Sequence, residues 1–304
     1  MAKKQKMRNF LVALFFSLLL LSTFINPSDY QKTFQATLFL WVKYVIPSLV
    51  PLYIVGNILA AYPFLSFFFY PLFKNLFHFE SQKSCSLFLL SFIIGQPSIT
   101  LLIKQAFDKE TVSIREANRL MRFTSHLSPL FIIAMVSGKP FLARTGYLIV
   151  LSQVFASCLL AFLSKGTSKK MSSIPLETEV GFSYLIEECP LLLLKILMIM
   201  IIVSLLRFPV LTFLPGFGKI LFGRYLLDLF EITTGLASII KYPLQLPVLT
   251  ALIGFTISLS GLCIIFQTLY AVKKTSLKLA SYLFFRLIHG LISGAVCLVC
   301  ELLL

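Results

Sequence analysis

Between Leu249 and Ala271 the chain runs without a single charged residue. A helix needs about 20 such apolar residues to cross the roughly 30 Å hydrocarbon layer of a bilayer. Comparable runs recur at 10–25, 38–61, 86–103, 123–137, 145–163, 184–206, 225–240 and 280–304. A further apolar stretch, 62–77, carries Pro63 and Pro71 and reads as a short interfacial helix. Only 13% of the residues are charged, against about a quarter in a soluble domain, and the 31 phenylalanines would make a soluble surface aggregate. The pattern predicts an all-α polytopic membrane protein whose first partner is the lipid bilayer.

The net charge of +15 fits that reading. Lys and Arg cluster between the apolar runs, where they set topology and meet anionic headgroups. No basic tract interleaved with aromatics points to nucleic acid. Lys3, Lys4, Lys6 and Arg8 precede the first apolar run as in a signal peptide, but no small-x-small site follows. An uncleaved first helix with its N-terminus inside is expected. The six cysteines lie in or beside apolar segments and read as small hydrophobes. Cys297 and Cys300 form a CxxC without histidines, so no metal is expected. No phosphate-binding loop is present, and neither ATP nor any other cofactor is expected.

The polar linker 164–181 divides the chain, and the two sides resemble each other. The stretch beginning at Ser128 aligns with that at Ser260, Ile99–Lys104 with Leu236–Lys241, and Tyr147-Leu148 with Tyr282-Leu283, in one order and at a near-constant offset. This predicts residues 1–34 as a basic N-terminus with a first span, 35–165 as one repeat, 166–182 as the linker and 183–304 as a second repeat.

Charge bears on the topology. If 86–103 and 225–240 both cross fully, the basic loop 104–122 falls outside, against the positive-inside tendency. If both are re-entrant hairpins, that loop falls inside together with Lys273, Lys274 and Lys278. Each half then has three spans and a hairpin, and the second half is inverted, as in many transporters. This arrangement places Arg207, Lys219 and Arg224 outside. Gly95-Gln96-Pro97-Ser98 interrupts the first segment, because Pro has no N–H and disfavours helix in the residue before it. Thr233-Thr234-Gly235 is the corresponding polar stretch in the second. Backbone freed at membrane depth must face protein or a watery cavity, and the N-termini of half-helices favour anions.

Several ordered stretches carry a resemblance: Trp41 to Pro51, Gly95-Gln96-Pro97, Glu116 to Leu120, Ser128 to Ile132, Glu231 to Gly235, Gly261-Leu262 with Gln267, and Arg286 to His289. In this set the chain resembles the YlbJ/SpoVV sporulation integral membrane proteins, which carry the Gate, or nucleoside-recognition, domain. It departs from that pattern at Gln96, Ile99, Ser128, Thr234 and Ile265. The resemblance implies two inverted Gate-type repeats and movement of dipicolinic acid out of the mother cell. It implies a bacterial cell membrane, and in a spore former the mother-cell-derived outer forespore membrane. Concentrative nucleoside transporters, which share the domain, make a nucleoside-type transporter the alternative.

Candidate site residues are those at the breaks and the ionisable or polar groups inside spans. Gly95, Gln96, Pro97, Ser98, Ser128, Thr233, Thr234, Gly235, Ser260 and Gln267 would line a substrate site. Glu231, with Asp228 a turn earlier, would bind a coupling ion or pair helices, or sit solvated at the interface. Arg286 and His289 share a helix face; Arg286 would meet a substrate carboxylate, pair with Glu231 or snorkel. Lys195 is a second cationic candidate. A serine–histidine dyad of Ser260 and His289 would suggest an intramembrane protease, but the fuller glycine pattern fails at Ser258, and no enzymatic activity is expected. A non-transporting factor in spore-envelope assembly is the remaining reading.

Overall fold

The computed structural model describes residues 2–62, 64–164, 182–273, 275 and 278–304; of the expected linker 166–182, all but Phe182 lies outside them. The protein is all-α and polytopic: no strand occurs among the described residues, and six of the helices there are long and apolar enough to cross a bilayer.

Helix α1 (Ala2–Ile25) leaves Phe10, Phe16, Leu20 and Phe24 exposed, as lipid contact requires. Helix α2 (Pro27–Leu40) passes through a π-helical turn (Trp41–Val45) into α3 (Ile46–Ala61), forming one continuous rod. Pro47 follows the turn; it has no N–H for the Lys43 carbonyl, and the wider turn accommodates that mismatch. The repeat boundary expected at residue 35 therefore falls inside a helix, because nothing after Pro27 breaks it.

Next come the short α4 (Phe64–Phe77), then α5 (Gln82–Ile94) and α6 (Ser98–Asp108) as a helical hairpin. Helix α7 (Ile114–Phe123) leads through an irregular stretch, 124–128, to α8 (Pro129–Ile132) and a π-helical turn (Ile133–Ser137). Helix α9 (Ala143–Leu163) closes this half. The second half repeats the order. It has a long α10 (Phe182–Leu205), a short α11 (Phe208–Phe213) and a hairpin of α12 (Leu221–Asp228) and α13 (Ile232–Ile239). A broken pair, α14 (Leu246–Leu259) and α15 (Gly261–Ala271), and a long α16 (Leu279–Leu303) follow.

Side-chain contacts fix which ends lie together. At one end, Lys83 Nζ donates to the Ala60 carbonyl at 2.6 Å, Ser113 Oγ to Glu80 at 2.6 Å, and Arg122 Nε to Ser281 Oγ at 3.1 Å. This end gathers the close of α3, the base of the first hairpin, the start of α7 and, through Arg122 in its last turn, the start of α16. At the other end, Glu301 accepts from Arg144 at 2.8 Å and from Thr250 at 3.2 Å, joining the close of α16 to the starts of α9 and α14. The second hairpin runs directly into α14 and so has its base at this second end. The two hairpins enter from opposite faces. With 13 residues, α5 rises only about 20 Å, short of a full crossing. The face holding Lys83, Lys104, Lys109, Arg115 and Arg122 is the one the positive-inside tendency assigns to the interior.

The base of the first hairpin is anchored by aromatics and one ion pair. Phe88 meets Phe77 at 5.3 Å and Phe123 at 5.5 Å between centroids. The buried Arg119 binds both oxygens of Glu116, at 2.7 and 2.8 Å, and the carbonyls of Phe77 and His78, at 2.7 and 3.1 Å. Sequence patterning made 104–122 a basic loop, but in the structure Arg119 turns inward on α7, because Glu116 one turn earlier offsets its charge.

Two outcomes follow. In a cysteine-free background, Lys109→Cys and Lys219→Cys should react with an impermeant thiol reagent from opposite faces of oriented vesicles. Labelling of both from one face would contradict the inverted hairpins. Arg119→Met should cost roughly 3–5 kcal/mol, since it strands Glu116 in the interior, and adding Glu116→Gln should restore part of the lost melting temperature in detergent.

Candidate functional site: a buried cavity between two re-entrant tips

Each hairpin turns at membrane depth, where free backbone groups need partners. The first turn, Gly95-Gln96-Pro97, contains a cis Gln96–Pro97 bond. Gly95 adopts φ 61° and ψ −170°, a region open almost only to glycine. A Cβ at Gly95 would collide with the backbone of Leu127 and Ser128. That closeness lets the Gln96 N–H donate to the His126 carbonyl at 2.8 Å, inside the irregular stretch between α7 and α8.

The second tip repeats the device. The carbonyls of Leu229 and Phe230 accept from the N–H groups of Leu262 and Cys263 at 2.9 and 3.0 Å, at the break between α14 and α15. That break is made by Ser260 and Gly261, both with positive φ (71° and 64°), and a Cβ on Gly261 would meet the Leu229 carbonyl oxygen at 2.6 Å. In each half, then, a re-entrant tip is hydrogen-bonded to the break of the broken helix that follows it.

The second break does not lie at Thr233-Thr234-Gly235 as expected but at Leu229-Phe230-Glu231. Glu231 caps α13: its carboxylate accepts from the N–H groups of Thr233 at 3.0 Å and Thr234 at 2.8 Å, and from Thr233 Oγ1 at 2.5 Å. The two threonines thus form the first turn of a helix. Gly235 lies against the Asp228 carbonyl, where a side chain has no room.

Between the two tips lies a cavity of about 40 Å³, enough for one or a few waters. Its polar lining is Ser48, Gln96, Ser128, Glu231, Thr233 and Gln267, with Pro97 beside them; Val45, Phe131 and Met200 belong to its apolar wall. Gln96 Oε1 accepts from Thr100 at 2.8 Å and Thr268 at 3.4 Å, while its Nε2 has no partner among the described residues. Gln267 Nε2 contacts Cys263 Sγ at 3.2 Å, while its Oε1 is likewise unpartnered. One donor and one acceptor on cavity-lining side chains are therefore left for a ligand or water.

The other expected residues go elsewhere. Ser98 is buried in the first turn of α6 and Thr234 lines a different recess. Ser260, Arg286 and His289 form a polar layer behind the breaks and do not line the cavity. Arg286 Nη2 donates to Ser260 Oγ. Among the described residues it makes no ion pair with Glu231, and at 1% exposure it does not snorkel. His289 Nε2 bonds Ser157 Oγ at 3.0 Å, so its serine partner is not Ser260 and the imagined dyad is absent. Asp228 accepts from Tyr242 Oη at 2.9 Å and is buried rather than solvated.

Two recesses flank the cavity; sequence reasoning named Lys195, Asp228 and Thr234 singly but not the recesses they line. On the interior-assigned face, one of about 250 Å³ is lined by Lys104, Lys195 and Glu188 and shares Pro97 and Gln267 with the cavity. On the opposite face, one of about 560 Å³ is lined by Arg207, Arg224, Lys241 and Asp228, and by Thr234, the neighbour of cavity-lining Thr233. Cations outnumber acids in each. The sequence signals were Lys195 within a span and the basic residues near each hairpin, and the lining of each recess comes from several distant segments.

No protein-family model, curated protein or solved structure matches this chain.

The tip contacts predict a graded set of glycine effects. Gly95→Ala and Gly261→Ala should each lower the detergent melting temperature, with backbone strain of about 1–3 kcal/mol plus the collision. Gly216→Ala, where a Cβ meets nothing within 4 Å, should leave it unchanged.

Proposed function

We propose that the protein is a multi-pass transporter of the bacterial cell membrane that moves a small anionic metabolite by alternating access. The observation that carries this reading is the pair of hairpins entering from opposite faces, each docked on a helix break, with a buried polar cavity between their tips. Irregular backbone at membrane depth is maintained where it serves a solute path, and inverted halves offer two equivalent gates. The cation-rich recesses at both ends favour an anion over a cation. At about 40 Å³ the cavity is too small for a metabolite, so substrate entry requires one tip to undock from its break.

The favoured substrate is dipicolinate, exported from the mother cell during sporulation, as the resemblance to the YlbJ/SpoVV and Gate-domain proteins implies. Its flat ring suits the apolar wall, and its carboxylates suit the Ser128 hydroxyl and the unpartnered Gln96 Nε2. One observation favours a nucleoside instead: the unpartnered amide groups of Gln96 and Gln267 offer the donor and acceptor that a nucleobase edge seeks.

Proteoliposomes holding the purified protein should show saturable flux of labelled dipicolinate above protein-free vesicles, and Thr233→Val with Gln96→Leu should abolish it. Uridine flux without dipicolinate flux would replace the substrate. Flux of neither solute, under several ion gradients, would sink the transport reading.

A further inference from the structure

Arg286 is 1% exposed and among the largest fully buried side chains, yet it has no counter-charge among the described residues. A guanidinium stays protonated in any protein environment, so its charge must be met by another group. Among the described residues four acids are buried: Glu116, Asp228, Glu231 and Glu301. Each is engaged elsewhere, Glu116 by Arg119, Asp228 by Tyr242, Glu231 by the first turn of α13, and Glu301 by Arg144 and Thr250. The groups around Arg286 are neutral or basic. Ser260 accepts from Nη2, while Nε and Nη1 have no partner among the described residues. Tyr282, one turn earlier, shares a bond with Thr268 at 3.3 Å. His289, one turn later, stacks on His126 at 6.2 Å, which stacks in turn on Phe92 at 5.3 Å. Gln153 on α9, one turn from the serine that holds His289, has both amide atoms unpartnered. Effective desolvation of one unpaired ion costs several kcal/mol, which the surrounding hydroxyls and imidazoles do not offset.

We propose that Arg286 is the centre of a second anion site, distinct from the cavity, that holds one small monovalent anion: chloride, or a carboxylate group. The inference stands on the missing counter-charge and does not rest on the transport reading. The site lies directly behind both breaks. Ser260, its first contact, forms one break, and His126, on its rim, supplies the carbonyl that holds the Gln96 tip. An anion there therefore holds together the two segments on which the tips dock.

The test uses the full-length protein in detergent, at constant ionic strength set with PIPES, a disulfonate buffer that carries no carboxylate and is too bulky for a site that holds one small anion. Chloride, acetate and dipicolinate are titrated separately while the melting temperature is followed. Wild type should gain stability saturably with chloride or acetate. Arg286→Met, which removes the buried charge, should lose that dependence and melt no lower than anion-free wild type. Saturation by chloride assigns the site to an inorganic ion; saturation by acetate and dipicolinate but not chloride assigns it to carboxylates. If Arg286→Met fails to fold, bromide soaked into crystals of the wild type should give an anomalous peak beside Arg286. A wild type indifferent to all three anions, or an unchanged shift in Arg286→Met, would overturn the proposal, and so would bromide peaks only elsewhere where chloride is the anion that stabilises.

Discussion

The structure depends on how its backbone is satisfied where helices stop inside the membrane. A carbonyl or N–H left bare in hydrocarbon costs several kcal/mol, so an interrupted helix survives only if another interruption faces it. Here the interruptions are matched in pairs. The Gln96 N–H meets the His126 carbonyl, and the Leu229 and Phe230 carbonyls meet the N–H groups of Leu262 and Cys263. Each pair needs chain segments to approach at backbone distance, which is why Gly95 and Gly261 stand there. The long helices α9, α10 and α16 then act as the frame that holds these contacts at the right depth.

Much of this arrangement was legible in the sequence, and what was not has a physical reason. Gly95-Gln96-Pro97 announced the first tip because a glycine and a proline break a helix in any surroundings. Thr233-Thr234-Gly235 misled, since the true break is made by Glu231 turning its own carboxylate onto the next two N–H groups; a capping glutamate in an apolar run looks like a stranded charge. The break at Ser260 was hidden inside the most uniform apolar run of the chain. Only its alignment with Ser128, which also ends at a break, gave any hint. Helix α7 was hidden in the opposite way: Arg115, Arg119 and Arg122 made it look like a loop, whereas Glu116 lets Arg119 be buried.

The candidate site divides along the same line. Residues next to a legible break, Gln96, Pro97 and Ser128, do line the cavity, together with Glu231, Thr233 and Gln267. Ser260, Arg286 and His289 were grouped with them by polarity alone, yet a helix break has a front and a back, and these three are on the back. Sequence spacing cannot separate the two sides, because Ser260 and the cavity-lining Cys263 are within one turn of each other. The recesses were illegible for a different reason, since the lining cations come from α6, α10, α12 and the segments around α11 and α13.

The two tips are not held equally. The second is fixed by two backbone hydrogen bonds and by a carboxylate cap that takes three donors. The first is fixed by one backbone bond and by the side chain of Gln96, whose Oε1 is shared between Thr100 and Thr268. The Glu231 cap and the Thr100 bond stay within their own hairpins, so undocking breaks two hydrogen bonds at each tip, about 1 kcal/mol net each. The Thr268–Gln96 bond at 3.4 Å is the longest of the four, which makes the first tip the less costly to undock. A ligand that offers an acceptor to Gln96 Nε2 or a donor to Gln267 Oε1 would act on that tip from within the cavity, because Gln96 belongs to the tip itself. Thr268, the partner that Gln96 would give up, lies one residue after Gln267 and shares its hydroxyl with Tyr282, one turn from Arg286. The first tip is thus joined through Thr268 to Tyr282, one turn from the buried guanidinium, and a change at Gln96 or Thr268 alters the hydrogen bonding of the next hydroxyl.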